Sequence, residues 1–419
     1  MNEPLSTEPY KGVRDFYPSD WALLDAVFAR LRETLQLYGY EEYNASPLER
    51  AELYESKTSE EIVNEQTYTF VDRGERKVTL RPEMTPTLAR MVAAKRRELH
   101  FPLRWFSIPN MFRYERPQRG RLREFYQLNV DLLGVKGPQA DGEIIVIAHQ
   151  LLSSFGATND DFTIRINSRA LLDAACAAAG LTDEGKRAYL RLLDRKAKMS
   201  REEYAAAQAA IANEDPLSLI ESNDERIRSE KEKLSGLIEA FNARGMTNVA
   251  FDPLVVRGFD YYTGVVFEIY DTNPDNSRSM FGGGRYDNLI SLFDKESVPA
   301  VGFGMGDVIL MDFLTTHDLL PDAGTKPQIY LGTPSLEDLA GAQAVAEQLR
   351  AQKIRVFVNI TDKSLGDQIK DADRRGIAYF AAVGADERGS GTLKLKRLAT
   401  SEETMLPVVQ IPARLIAGA

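Results

Sequence analysis

The chain has 419 residues, 43% hydrophobic and 27% charged, which fits a soluble globular protein of two or three domains. No apolar run reaches the ~18 residues of a membrane span, Met1 to Lys11 carries no secretory signal, and the single cysteine, Cys176, excludes an internal disulfide or a Cys/His metal cluster. The net charge of −10 argues against coating a polyanion, but five arginines (Arg113, Arg116, Arg119, Arg121, Arg123) fall within eleven residues and suit recognition of a few phosphates. The cytoplasm is the expected compartment.

In chain order, Trp21 to Leu37 has apolar residues at helical spacing, and Pro18-Ser19-Asp20 supplies its start signal. Val78 to Leu80 predicts a short strand and Pro86 to Lys95 a helix. Trp105 to Tyr114 and Glu124 to Leu133 predict two strands joined by an arginine-rich loop. The second alternates, with Phe125, Gln127, Asn129 and Asp131 on one face and Tyr126, Leu128, Val130 and Leu132 on the other. Asp141 to Phe155 predicts a helix and Phe162 to Asn167 a strand. A charge-rich helical stretch, about 169–243, looks inserted. Strands return at Val249 to Val256, Val265 to Tyr270 and Phe281. Val301 to Phe313 reads as a glycine-rich entry into an apolar helix, and His317 to Lys326 as a linker.

Beyond it, strands at Gln328–Leu331, Arg355–Val358 and Tyr379–Val383 alternate with helices at Leu336–Gln352 and Leu365–Arg375. Leu393–Leu398 and Pro407–Ile411 follow. This predicts a small α/β domain over 326–419 with a largely parallel core. It carries 13 basic and 11 acidic residues, a charge of +2 that leaves −12 for the rest. The first domain, 1–325, reads as α+β around an antiparallel sheet with flanking helices.

The chemistry concentrates in short segments. Arg113 lies between Phe112 and Tyr114 and should project from one sheet face, with Glu115 on that face to accept from an exocyclic amine. Arginine forks match phosphate oxygens. Gly282-Gly283-Gly284 and Gly302-Phe303-Gly304-Met305-Gly306 allow close backbone approach. Neither is a dinucleotide fingerprint, and no phosphate-binding P-loop occurs, so if ATP is used a P-loop does not bind it. The three histidines, His100, His149 and His317, lie away from these motifs, which leaves histidine-based nucleophilic or general-base chemistry little support. Arginines and carboxylates around small loops suit charge stabilisation at a phosphoryl centre.

Together these residues resemble the class II aminoacyl-tRNA synthetases, and specifically the histidyl-tRNA synthetase family. The resemblance runs from Lys11-Gly12-Val13-Arg14-Asp15-Phe16 to the end of the chain. Pro47-Leu48-Glu49 is similar to the first class signature, which builds a dimer interface, and Arg113 to Phe125 to the second. Arg81-Pro82-Glu83-Met84-Thr85 and Arg257-Gly258-Phe259-Asp260-Tyr261-Tyr262-Thr263-Gly264 are similar to the segments around the histidine substrate. The resemblance implies that Glu83 and Thr85 hold the α-amino group. Arg113 would contact carboxylate and α-phosphate, Glu115 the adenine, Phe125 the base face and Arg121 the outer phosphates. Gln127 and Asp131 would line the amino-acid pocket, Tyr261 and Tyr262 meet the imidazole, and Arg257 stabilise the α-phosphate as pyrophosphate leaves.

The implied reaction joins histidine to the 3′ end of tRNA-His through histidyl-adenylate. ATP would arrive with Mg²⁺ on its outer phosphates, with no metal site from protein alone. Arg116, Gln118 and Arg119 would meet the tRNA acceptor, the C-terminal domain the anticodon region, and a second copy would complete a homodimer. Gln127 and Asp131 share a strand face, and a carboxylate with a phenol can read an imidazole's donor and acceptor.

Two positions depart from the family. Its third signature usually ends in an arginine that contacts ATP; here the stretch is Gly306-Asp307-Val308-Ile309-Leu310. Either Arg285 or Arg121 covers the γ-phosphate, or activity is weakened. Asp131 also stands where many relatives carry glutamate. A non-catalytic regulatory subunit of ATP phosphoribosyltransferase is the alternative reading, and a synthetase for another amino acid a further one.

Overall fold

The computed structural model describes residues 5–55, 66–116, 120–196, 199–257, 261–276, 278–293, 296–324 and 326–417. They fall into two compact units, Met1–Asp322 and Ala323–Ala419. In the first, the strands are β1 (Glu41–Glu42), β2 (Leu48–Arg50), β3 (Tyr68–Val71), β4 (Lys77–Leu80), β5 (Leu103–Ser107), β6 (Asn110–Phe112), β7 (Glu124–Leu133), β8 (Phe162–Ser168), β9 (Val249–Phe251), β10 (Val265–Asp271), β11 (Ser279–Arg285) and β12 (Ala300–Gly306).

Nine of them form one sheet in the order β1-β5-β7-β12-β11-β10-β8-β9, with β6 also paired to β7. Pairing is parallel only at the two edges, β1 with β5 and β8 with β9. The central pairs are antiparallel, as expected of an α+β domain. Side chains alternate between the faces. Leu128, Val130 and Leu132 of β7, Val301, Phe303 and Met305 of β12, and Phe267 and Ile269 of β10 all join one buried core. Helices Pro18–Leu37 and Pro138–Ser153 contribute to it through Leu24, Val27, Phe28, Leu31, Ile144, Ile147 and Leu151. Each such buried side chain contributes about 1.5–3 kcal/mol of transfer free energy.

Val301 to Gly306, expected to lead into a helix, is a central strand, and the helix begins only at Asp307 (Asp307–Thr316). The glycines obscured its period-two pattern. The expected strand Trp105–Tyr114 is two strands, broken after Ser107 and ended at Phe112. His317, expected in the linker, caps helix Asp307–Thr316 and is held by Asp271 at 2.9 Å and Asp161 at 3.3 Å. Helices Arg169–Ala178, Asp183–Arg195 and Glu225–Asn242 of the helical stretch send Leu171, Tyr189 and Leu234 into the same core. A separate three-stranded sheet, β2-β4-β3, lies outside the main one.

The second unit has β13 (Ile329–Gly332), β14 (Val356–Val358), β15 (Tyr379–Ala382), β16 (Thr392–Arg397) and β17 (Glu403–Pro407), ordered β14-β13-β15-β16-β17. The first three are mutually parallel, and β16 and β17 extend them as an antiparallel hairpin. Pro407 to Ile411, expected as an element by itself, ends β17 and turns into helix Ile411–Ala417.

Arg285 closes the end of β11 inside the protein. Its guanidinium donates to Asp141 at 2.9 Å, Asp287 at 3.2 Å, and the carbonyls of Val135 and Gly137 at 3.0 and 3.1 Å. A residue so engaged and only 6% exposed holds the sheet to helix Pro138–Ser153 and does not serve a phosphate. This corrects its candidacy for the γ-phosphate. Arg285→Met would strand Asp141 in the interior and should cost about 3–5 kcal/mol in urea unfolding. A loss below about 1 kcal/mol would show that the buried pair is dispensable.

Candidate active site

The face of the sheet opposite the core carries the expected site residues. Register puts Asp131 opposite Gly302, Asn129 opposite Gly304 and Gln127 opposite Gly306. The next strand sets Gly284 against Gly302 and Gly282 against Gly304. Five glycines thus leave that face of β11 and β12 without side chains, and the hollow lies above them. A Cβ on Gly302 would overlap the Asp131 carboxylate, so only glycine fits there.

One cavity of about 130 Å³ is lined by Glu83, Thr85, Arg113, Gln127, Asp131, Arg257, Tyr261 and Tyr262, together with Asn129 and Tyr286. A second, about 320 Å³, is lined by Arg113, Glu115, Arg121, Phe125, Gln127 and Arg257, with Glu268 and Ile309. The smaller matches one amino-acid side chain; the larger falls at the low end of ligand pockets, about 300–1,000 Å³. Arg113, Gln127, Arg257 and Gly304 border both, so the two join there. A larger hollow, about 850 Å³, lies between helices Pro138–Ser153 and Glu225–Asn242. It contains none of the expected site residues, and chemistry rather than size locates the site.

Local structure explains how each wall is held. Buried Arg81 donates to Asn110 O at 2.8 Å and Ala45 O at 2.6 Å, and so fixes the turn into helix Thr85–Lys95. That turn presents Glu83, only 3% exposed, whose carboxylate accepts from Tyr261 Oη at 3.3 Å. Arg113 stands one residue past β6. Its amide donates to Arg123 O at 2.9 Å and its Nε to Pro82 O at 2.8 Å, while its guanidinium lies 5.4 Å from the Phe125 ring. Glu115 sits between two cations, 3.9 Å from Arg113 and 3.3 Å from Arg121. Arg257 donates to Glu268 and to Gly282 O, each at 3.1 Å. Burial disfavours its charge, but Tyr262 and Glu268 outweigh that and move its pKa up.

The floor of the small cavity has a partner that the sequence did not single out. Tyr286 Oη donates to the Asp131 carboxylate, and both are buried. Asn129 and Glu268 were also missed. Asn129 lay in plain view on the polar face of β7, and Tyr286 stands two residues past the Gly282–Gly284 run; nothing local marked Glu268. Gly264 leaves room for the Arg285 side chain.

Arg116 is exposed. Gln118, Arg119 and Gly258 lie outside the described residues. Among the described residues, no group of three His, Cys, Asp or Glu side chains could hold a metal ion, and no helix is long and apolar enough to cross a membrane.

The departure after Gly306 is also accounted for locally. Asp307 is buried, accepts the Tyr126 amide at 2.9 Å and pairs with Arg14 at 2.7 Å. Val308 and Ile309 then give the larger cavity an apolar wall, and the Ile309 side chain lies against Gly120.

Burial raises the Asp131 carboxyl to about 7, against the pull of the Tyr286 hydrogen bond. The unfolded chain ionises this group near ~4, so between those values the folded form holds the extra proton. Stability from this group is therefore full below about pH 4 and is lost as pH rises to about 7, by on the order of 4 kcal/mol. Asp131→Asn should gain on the parent in urea midpoint across that interval and run parallel to it above. A pH-independent difference would mean that Asp131 stays ionised throughout.

Comparison with known proteins matches these features. A sequence model of the family described as Histidyl-tRNA synthetase covers residues 12–306, and one described as Anticodon binding domain covers residues 329–417. The chain is 43% identical over 419 residues to a histidine–tRNA ligase of Leptospira biflexa, spanning 96% of this chain and 95% of that one. A histidine–tRNA ligase of Halobacterium salinarum is 37% identical over 418 residues, 96% of each. The fold is that of the histidyl-tRNA synthetase from Nostoc sp. PCC 7120, with a TM-score of 0.84 at 22% identity over 99% of this chain and 100% of that one.

Proposed function

The chain belongs to the histidyl-tRNA synthetase family, and on that premise we propose how its two joined cavities divide the reaction. It is a ligase that activates histidine with ATP and transfers the histidyl group to the 3′ end of tRNA-His. The regulatory-subunit alternative has less support, because the matching ligases extend over nearly the whole chain, anticodon-binding domain included.

The observation that carries our assignment is the junction of an amino-acid-sized cavity with a nucleotide-sized one at Arg113 and Arg257. Histidine occupies the smaller. Its imidazole reaches Asp131, Tyr261 and Tyr262 at the closed end, and its ammonium meets Glu83 and Thr85. Gln127 lies beside both. ATP occupies the larger, with the base on Phe125 and against Ile309, its amine on Glu115 and its outer phosphates on Arg121. ATP enters as its magnesium complex, the ion carried by the outer phosphates.

A carboxylate oxygen of histidine then attacks the α-phosphorus, and the bond to the bridging oxygen breaks to release pyrophosphate. Two anions must approach within bonding distance, and charge builds on the α-phosphate oxygens. Arg113 and Arg257, preorganised at that point, offset it. A ribose hydroxyl of the tRNA end next displaces AMP from the histidyl carbonyl. Arg116, Gln118 and Arg119 steer the acceptor end, and the C-terminal unit takes the anticodon region. We assign the protein to the cytoplasm, where tRNA is charged.

We also assign a homodimer. Leu48, Leu80, Tyr68, Phe70 and Val78 share one face of the β2-β4-β3 sheet by register, with Arg50 at its edge, and Leu48 and Phe70 are 43% and 48% exposed. An apolar sheet face with uncovered large side chains suits a second copy. Phe70→Asp should lower the mass seen by light scattering toward that of one chain; an unchanged mass would remove this face from the interface.

ATP–pyrophosphate exchange should depend on histidine and on no other amino acid tested, and absence of histidine-dependent exchange would sink the reading. Arg257→Ala should slow exchange by about 100- to 1,000-fold, the usual effect of deleting one transition-state donor. A rate within threefold of the parent, about 0.7 kcal/mol, would remove Arg257 from that role.

A further inference from the structure

Arg257 occupies an awkward position. Its φ is +56°, a region costly for a long side chain, and its buried Nε–H meets no acceptor among the described residues. Something must hold such a guanidinium in one orientation while leaving donors for a ligand. Of its five N–H groups, one donates to Glu268 Oε1 and one to Gly282 O, each at 3.1 Å, and Tyr262 on the side of the smaller cavity is a further side-chain partner.

Glu268 is itself an oddity. It projects from β10 into the larger cavity, where a bare carboxylate would repel a polyphosphate. Its cross-strand neighbours are Gly282, which has no side chain, and Arg165. Yet Arg165 turns away from it, pairing with Asp252 at 3.1 Å and lying 4.4 Å over the Tyr270 ring. Tyr270 in turn donates to Glu268 Oε2 at 2.5 Å. Both carboxylate oxygens are thus committed, one to Arg257 and one to a phenol that Arg165 keeps in place.

We propose that Glu268, propped by Tyr270, is the positioning residue that aims Arg257 at the junction of the two cavities. The inference rests on the assignment of Arg257 to the α-phosphate. The pair is neutral, so Glu268 does not repel ATP while Arg257 is present. Its loss releases the guanidinium to swing away from the reacting phosphate. The effect belongs in kcat rather than in histidine binding, because Glu268 lines only the larger cavity.

The test is ATP–pyrophosphate exchange by the full chain, with kcat and KM for histidine and for ATP. Glu268→Ala should lower kcat about 100-fold and leave the histidine KM within about threefold, as a displaced transition-state donor does. Glu268→Gln keeps an acceptor for Arg257 without the charge and should recover about tenfold of that loss. Tyr270→Phe should cost about three- to tenfold, the loss of one hydrogen bond. The Arg257→Ala, Glu268→Ala double variant should be no slower than Arg257→Ala alone, because Glu268 acts only through Arg257.

Multiplicative losses in the double variant would overturn the proposal, as would a Glu268→Gln or Glu268→Ala kcat equal to the parent's. If Glu268→Ala fails to fold, Glu268→Gln and Tyr270→Phe carry the same test. Near-parental exchange by Arg257→Ala would instead overturn the assignment of Arg257 itself, and this inference with it.

Discussion

The site exists because two neighbouring strands are stripped of side chains on one face. A β-strand cannot choose its faces independently; every second residue goes to the same side. In β11 and β12 the core side carries Phe281, Val301, Phe303 and Met305, and the other side carries glycine after glycine. The bulky half of the pattern holds the sheet to its helices. The empty half makes a depression whose depth is one missing layer of side chains. Larger residues on the flanking strands, Gln127 and Asp131 on one side and Glu268 on the other, become its walls. Glycine is costly in a strand, and the buried core beneath offsets that cost.

Charge follows the same geometry. A floor without side chains offers no groups to neutralise a buried ion, so the charged wall residues arrive with partners: Arg113 with Pro82 O and Glu115, Arg121 with Glu115, Arg257 with Glu268, Glu83 with Tyr261 and Asp131 with Tyr286. Arg285 belongs to another class. Its donors are tied to Asp141, Asp287 and two carbonyls, which makes it a structural clamp. The arginines that line the cavities are less fully engaged by the protein. That difference in satisfaction, rather than residue type, separates the cations that line the cavities from the scaffolding ones.

Much of this was legible in the sequence where one short period carried both fold and chemistry. The alternation from Phe125 to Asp131 placed Gln127 and Asp131 on one face, and β7 has that arrangement. The arginine-rich stretch and the segment ending in Tyr261-Tyr262 held residues that do line the two cavities. What stayed hidden was long-range. Tyr286 lies 155 positions from Asp131, and only the pairing of β7, β12 and β11 brings them together. Glu268 looked like an ordinary polar residue in an alternating strand. Gly302, Gly304 and Gly306 misled in the other direction, since a run of alternate glycines has too little apolar content to announce a strand.

The apolar corner formed by Val308 and Ile309 bears on selectivity between related proteins. Where the family's third signature usually presents a cation to the nucleotide, this chain presents branched hydrocarbon at the mouth of the larger cavity. A nucleotide mimic with a hydrocarbon arm at that corner would bury its surface at roughly 25 cal/mol per Å². In a relative with arginine there, the same arm would displace a hydrated guanidinium and lose that gain. That corner is thus the place where a compound could tell this enzyme from a relative that carries arginine there.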